Sequence, residues 1–279
     1  IIDRMLENGF ITAAEAQAAK TEELKLRLSG SQQRVHAEYA AEMVRQAMVA
    51  QYGDEAYTRG LNVTTSLRAN EQQAAYRALR QGVLDYERRQ IYRGPELFIT
   101  LPPPGPARDE AVDEALNEHP DSDDLLSAVV LDANPRKVVA VRQDGEPFDI
   151  TGEGLRPATS GLSDKAGPNI KIRPGAVIRV VKTGDKGWRI SQMPEVESAF
   201  VALDPRDGAI RALVGGFDFP TSKFNHVTQA WRQPGSSFKP FIYSAALEKG
   251  VTPMTVVNDA PLFYSAGETG GKPWEPKNY

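Results

Sequence analysis

Ser236 and Lys239 stand three residues apart in the stretch Arg232-Gln233-Pro234-Gly235-Ser236-Ser237-Phe238-Lys239-Pro240. The spacing S-x-x-K sets a hydroxyl nucleophile beside an amine. On a helix of about 3.6 residues per turn, the lysine falls about one turn after the serine and on nearly the same face. A serine hydroxyl is a poor nucleophile at neutral pH and needs a base to take its proton. A lysine serves as that base once burial or neighbouring positive charge lowers its pKa. The pair points to acyl transfer through a covalent serine ester. The competing reading makes Ser236 a helix cap and Lys239 a solvated charge, since about one S-x-x-K is expected by chance in a chain of ordinary composition.

The surrounding elements favour chemistry. Val196–Asp204 and Ala209–Gly216 are β-rich runs joined by the turn sequence Asp204-Pro205-Arg206-Asp207-Gly208, which predicts a hairpin. Pro234-Gly235 then breaks the chain. Phe238, Phe241, Ile242, Ala245, Ala246 and Leu247 follow at helical spacing, with Gly250 as the stop signal. The pattern predicts Ser236 at the mouth of a buried helix packed on a sheet. Pro240 lies in the first turn, where a missing N–H is harmless. The positive helix terminus would sit near any oxyanion.

The string RQPGSSFKPF, preceded by L-D-P-x-x-G-x-I-x-A-L-V-G-G, resembles the start of the transpeptidase domain of class A penicillin-binding proteins. S-x-x-K is the first of the three motifs of that serine acyltransferase group, ahead of S-x-N and K-[ST]-G. The resemblance implies a serine-type D-Ala-D-Ala transpeptidase. Ser236 would be the nucleophile and the residue acylated by β-lactams, Lys239 its proton acceptor, and the Ser236 backbone N–H one oxyanion donor. The implied substrates are peptidoglycan stem peptides, and lipid II for a glycosyltransferase activity elsewhere in a bifunctional protein. Neither S-x-N nor K-[ST]-G follows Lys239. The final Trp274-Glu275-Pro276-Lys277-Asn278-Tyr279 resembles a W-x-P-x-N-Y stretch met early in the same domain. The chain is therefore expected to be a truncated piece, inactive by itself.

Composition bounds the alternatives. A length of 279 residues predicts about two domains, and 41% hydrophobic content suffices for ordinary cores. A net charge of −4 offers no basic field for nucleic acid. The absence of cysteine removes thiolate sites and disulfides, and His36, His119 and His226 are too scattered for a ligand set. No metal and no cofactor are expected. No apolar run reaches the length of a membrane span. The resemblance places the protein on the periplasmic side of the bacterial inner membrane, anchored by a segment outside this sequence.

The fold expected is α+β and multidomain. Residues 1–30 read as two short helices, the second opened by a Thr12/Glu15 capping box. RMLENGFITAAEAQAA resembles the tail of a glycosyltransferase domain, and Glu7 and Glu15 read as solvated helix charges. Residues 31–100 resemble the interdomain linker. They hold an amphipathic helix over 34–52 with Val35, Tyr39, Met43, Val44, Ala47 and Met48 on one side, stopped by Gly53. A strand follows over Leu61–Leu67, then a helix from Asn70 to about Arg89 with Gln73 completing its cap. Arg77, Arg80, Arg88, Arg89 and Arg93 read as the exposed face of that helix. Residues 101–195 open with the stiff Leu101–Pro106 segment and an acidic stretch Asp109–Asp124, read as an exposed short helix and loop. Strands are expected over 125–132, 137–142, 147–151, 177–183 and 187–193, with 152–168 as a long loop. About five short strands predict a small OB-like β-barrel. Phe148 and Trp188 are nearly its only aromatics, which argues against oligonucleotide binding. Its placement resembles the accessory domain of Gram-negative class A proteins of the 1A type, which implies docking of an outer-membrane lipoprotein activator. Residues 196–279 complete the reading: the first hairpin and active-site helix of a truncated β-lactamase/transpeptidase-like α/β domain.

Three competing readings carry different consequences. A serine β-lactamase shares S-x-x-K but predicts a compact single domain. A class B transpeptidase has a large N-terminal module but lacks the glycosyltransferase-like tail. A non-catalytic docking segment would leave Ser236 inert.

Overall fold

A computed structural model describes residues 2–21, 35–143, 145–184 and 187–276. The chain divides into two compact units, residues 1–230 and 231–279. Each is taken by itself.

The first unit opens with α1 (Ile2–Glu7) and α2 (Ala13–Thr21). The capping box is formed: Thr12 N–H donates to Glu15 Oε2 at 2.7 Å and Glu15 N–H to Thr12 Oγ1 at 3.3 Å. Next come α3 (Glu38–Tyr52) and α4 (Ala69–Glu87). Gly53 ends α3 with a positive φ of 59° and its N–H on Val49 O. Tyr39 is the buried residue of α3, while Ala47 stays exposed. Two linker expectations fail. Residues 61–67 form no strand: nearly all are exposed, and hydrogen bonds to residues 210–211 come at the end of the segment and just beyond it, from Ser66 Oγ to Ile210 O and from Arg68 N–H to Arg211 O. A period-2 pattern with no face to bury does not hold a ladder. The cap of α4 is Arg68 with no side-chain hydrogen bond, so Asn70 and Gln73 lie inside the helix.

The OB-like part contains β1 (Leu97–Phe98), α5 (Pro106–Glu118), β2 (Leu126–Asn134), β3 (Lys137–Val141), β4 (Pro147–Thr151), α6 (Thr159–Leu162), β5 (Ala176–Thr183) and β6 (Gly187–Ser191). The sheet runs β1-β5-β2-β3-β4, with β6 also on β5, and every pairing is antiparallel. All five expected strands are present. Leu97–Phe98 was not foreseen, being too short to show a period. A bulge at Val130/Asp132 bends β2. Inward residues such as Ala128, Val138, Ile150, Ile178 and Ile190 form the core. On the other face, Val112, Ala115 and Leu116 of α5 cover Val129, Val141 and Val177. The acidic segment is thus amphipathic, exposed on one side only.

Among the described residues the barrel is not closed: no ladder joins β4 to β6. They meet through side chains instead, the Phe148 and Trp188 rings lying 4.3 Å apart. Residues 152–162 are not an open loop. They fold into two 3₁₀ turns and α6, and bury Leu155, Ala158 and Leu162 against the core. Gly154 is pressed on this gap, where a Cβ would collide with the Trp188 carbonyl.

The hairpin is as expected: β7 (Phe200–Leu203) pairs antiparallel with β8 (Ile210–Val214). Its turn closes through Asp204 N–H to Ala209 O and Gly208 N–H to Asp204 O, both 2.8 Å. Hydrogen bonds from Arg206, and then Arg211, hold the Asp204 carboxyl below the usual carboxylate range. Ala75, Tyr76, Leu79 and Val83 of α4 pack with Ala212, Val214 and Phe217.

The second unit holds a 3₁₀ turn (Gly235–Phe238), α7 (Lys239–Glu248) and α8 (Ala266–Thr269). Tyr264 and Trp274 form a two-bond bridge at 3.0 Å, with their rings 5.5 Å apart. A Ser265/Glu268 capping box starts α8. No residue of α7 is buried, so the expected buried helix is not found within these residues. Burying a helix face requires an apolar surface opposite it, and residues 231–276 supply one isolated bridge and no sheet.

Candidate active site

Ser236 lies in the 3₁₀ turn, not at the first residue of an α-helix; Lys239 opens α7. Gly235 has φ 54°, a left-handed conformation that admits glycine readily and turns the chain from the polar stretch into the helix. Ser237 N–H donates to Pro234 O at 3.1 Å, and the Lys239 N–H caps the turn on Ser236 O. In a 3₁₀ turn, residues i and i+3 eclipse, so the two side chains leave the backbone on one side. Both residues are exposed, and no hydrogen bond joins their side chains among the described residues.

The helix that follows is well delimited. Pro240 occupies its first turn, as the missing N–H allows. Gly250, at φ 84°, donates to Leu247 O, and Val251 N–H reaches back to Ala246 O, both at 3.0 Å. That is a Schellman stop. The positive end of the α7 dipole faces the Ser236 turn. The arrangement offers a hydroxyl, an amine and a helix terminus within one turn of chain. Trp274 and Pro276 are described, whereas Lys277, Asn278 and Tyr279 lie outside the described residues. A Lys182-Thr183-Gly184 string, worded like the third motif, ends β5 in the OB-like part. It precedes Ser236 and takes no role here, because the signature places K-[ST]-G after the serine.

The residues that sequence reading missed are buried polar groups on α4. Arg80, assigned to an exposed basic face, is 2% exposed. Its guanidinium donates to Asp124 Oδ1, to Ser122 O and to Phe217 O, and lies 4.0 Å over the Phe217 ring. Gln72 pairs with both backbone groups of Leu213 in β8 and also donates to His36 O. Glu87 meets Arg93 at 2.5 Å and Gln192 at 2.8 Å. These three share the apolar stripe of α4, and their place in that stripe was the available signal. They tie the helix to the hairpin, to residues 122–124 and to the end of the OB-like part. Tyr39 adds a fourth tie, its hydroxyl on Ser222 O at 2.8 Å.

Comparison with known proteins matches this architecture. Residues 92–196 match the Penicillin-binding protein OB-like domain, and residues 198–279 the Penicillin binding protein transpeptidase domain. Penicillin-binding protein 1A of Neisseria lactamica is 41% identical over 100% of this chain and 35% of its own length. For the proteins of the same name from Pseudomonas aeruginosa and Escherichia coli, identity is 40% and 38%, again over 100% of this chain and over 34% and 33% of theirs. The crystal structure of Penicillin-Binding Protein 1A from Haemophilus influenzae superposes with a TM-score of 0.78 at 34% identity, covering 99% of this chain and 39% of that one. The chain belongs to the class A penicillin-binding proteins. Within them it falls in the penicillin-binding protein 1A family. It spans about one third of the length of the curated relatives it matches.

Proposed function

We propose that this chain is part of a peptidoglycan synthase of the cell wall, and that Ser236 is the acyl-enzyme nucleophile of its D,D-transpeptidase. In this reading Ser236 Oγ attacks the carbonyl of the penultimate D-Ala, and Lys239 Nζ accepts the hydroxyl proton. The tetrahedral oxyanion is stabilised by the Ser236 N–H at the head of α7. Collapse breaks the peptide bond, the departing D-alanine amine takes a proton, and a serine ester remains. An amine from a neighbouring stem peptide resolves that ester and forms the cross-link. A β-lactam follows the first half of the path and stays bound to Ser236, which makes penicillin a ligand of the site.

The observation that carries the reading is the Gly235–Phe238 turn leading directly into α7 at Lys239, inside the stretch matched to the transpeptidase family. Residues 1–30 would close a glycosyltransferase domain that uses lipid II. Residues 31–100 would be the linker, and the OB-like part would offer docking to an outer-membrane lipoprotein activator. The whole protein would work at the periplasmic face of the inner membrane, on an anchor outside these residues. Among the described residues no helix is long and apolar enough to cross a membrane. With neither S-x-N nor K-[ST]-G after Lys239, these residues alone should not turn over.

The test is labelling of the full-length protein by a fluorescent penicillin. Ser236→Ala should abolish the covalent band, and Lys239→Met should slow its appearance by about 10²–10⁴-fold. A band of undiminished intensity in Ser236→Ala would place the nucleophile elsewhere and end the proposal.

A further inference from the structure

A groove of about 970 Å³ runs between α4 and the outer face of the β5–β6 hairpin, wholly within residues 1–230. A second cavity of about 360 Å³ shares two lining residues with it, Arg88 and Arg189. Space of this size accommodates an oligopeptide and far exceeds a single ion. Its apolar contribution comes from Leu84, Leu126 and Val181, and its neutral hydrogen-bonding groups include Gln73, Gln81, Thr183 and Ser191.

Charge in the groove runs against the sign of the molecule. The whole chain carries −4, yet Arg77, Arg80, Arg88, Lys182 and Arg189 are among the lining residues of the larger cavity, against three acids, Asp85, Asp123 and Asp124. Those acids are already engaged: Asp85 with Arg88, Asp124 with Arg80, and Asp123 between Arg80 and His36. In the second cavity Glu153 is held by Arg156. Arg77 and Arg189 therefore have no acidic partner among the described residues, and Lys182 rests only on the Trp188 ring, 5.4 Å from its centre. Arg189 is the telling case. It is half-buried and fixed on a strand, opposite Val181 in the β5–β6 ladder. A partly desolvated guanidinium without a counter-charge is costly, and one held on a rigid strand is pre-organised for an anion.

We propose that this groove binds the carboxylate-bearing stem peptides of uncross-linked glycan strands, with Arg189 and Arg77 as its anion-binding residues. The choice of ligand rests on the transpeptidase reading above. Carboxylates spaced along a peptide suit two separated guanidiniums, and the amide-bonding side chains between them suit a peptide backbone. Retention of a strand on the polypeptide that cross-links it raises the effective concentration of acceptor and donor peptides.

The experiment uses the full-length protein and three probes: soluble uncross-linked glycan strands, the same strands with carboxylates amidated, and a decaglutamate peptide. The double variant Arg77→Glu/Arg189→Glu should lose at least about tenfold in strand affinity, the scale of one or two charge-assisted contacts. Amidated strands should bind the native protein as poorly, and binding should weaken with salt. Arg189→Gln, read beside its melting temperature, separates loss of a contact from loss of fold. Equal strand binding by native and double-variant protein overturns the proposal, as does equal binding of amidated strands. Tight decaglutamate binding without strand binding also overturns it, and assigns the groove to an acidic protein segment. Penicillin labelling of Ser236 should be the same in native protein and variants. Its absence in the native protein, with strand binding intact, would sink the transpeptidase reading and leave the groove's ligand assignment standing.

Discussion

Ile150, Ile178 and Ile190 lose nearly all contact with solvent inside the OB-like sheet, whereas Phe241, Ile242 and Leu247 of α7 keep more than half of their surface exposed. Both regions are apolar in sequence, and both form the secondary structure that their patterns predict. The difference lies in what holds them. The sheet is held by cross-strand neighbours and by α5 and the 152–162 turns closing on its two faces. α7 is held by its ends, Pro240 in the first turn and the Gly250 stop. Local signals are enough to place a helix; only a second surface makes it a core.

The contrast can be broken most forcefully from the sheet. Ile178→Ala should cost about 3–4 kcal/mol by urea unfolding, as expected of a filled interior site. A loss under about 1 kcal/mol would show that the OB-like core is looser than its burial implies. Arg80→Ala should cost about 3 kcal/mol, because Ser122 O and Phe217 O would lose their buried donor. Arg80→Lys should recover only part of this, since an ammonium cannot reproduce the guanidinium fork.

A subtler test concerns Glu96. Burial pushes its carboxyl up, but the two hydrogen bonds and the charge of Arg179, with His119 beside them, outweigh that and hold it below its ordinary 4.5. A carboxyl depressed in the folded state contributes stability above its unfolded pKa, and that stability is lost as pH falls through the folded value. The melting temperature should therefore decline as pH drops below about 4.5, and Glu96→Gln should flatten that decline. Identical pH profiles for the two proteins would remove Glu96 from the account. The smallest effect belongs to α7. Phe241→Ala should change the stability of these 279 residues by less than about 0.5 kcal/mol. In a longer protein whose further residues cover the α7 face, the same substitution should rise to about 3 kcal/mol.

What could be read in advance divides along the same line. The five strands, the 204–208 turn, the Thr12/Glu15 box and the Gly250 stop depend on neighbours in sequence, and all were legible. Residues 61–67 have strand-forming types but no surface to lie on, and composition cannot report that. Arg80 looked like one more exposed arginine because its partners, Ser122, Asp124 and Phe217, lie 42 to 137 positions away. The open seam between β4 and β6 depends on how residues 152–162 fill space, which no periodicity encodes. Of the candidate site, the identities and spacing of Ser236 and Lys239 were plain. The 3₁₀ form of their turn was not, since helical types and spacing leave the first turn undetermined.

The ties made by α3 and α4 also set a timetable for synthesis. Tyr39 waits for Ser222, Gln72 for Leu213 and Arg80 for Phe217, separations of 183, 141 and 137 residues. At about 10 residues per second, the apolar stripe of α4 stays without its partners for roughly ten seconds or more after it is made. The hairpins of the OB-like sheet can close within that interval, because their strands follow one another directly. The α3–α4 segment is therefore the last piece of residues 1–230 to settle, although it is among the first of them translated. During synthesis it is the stretch most in need of a chaperone.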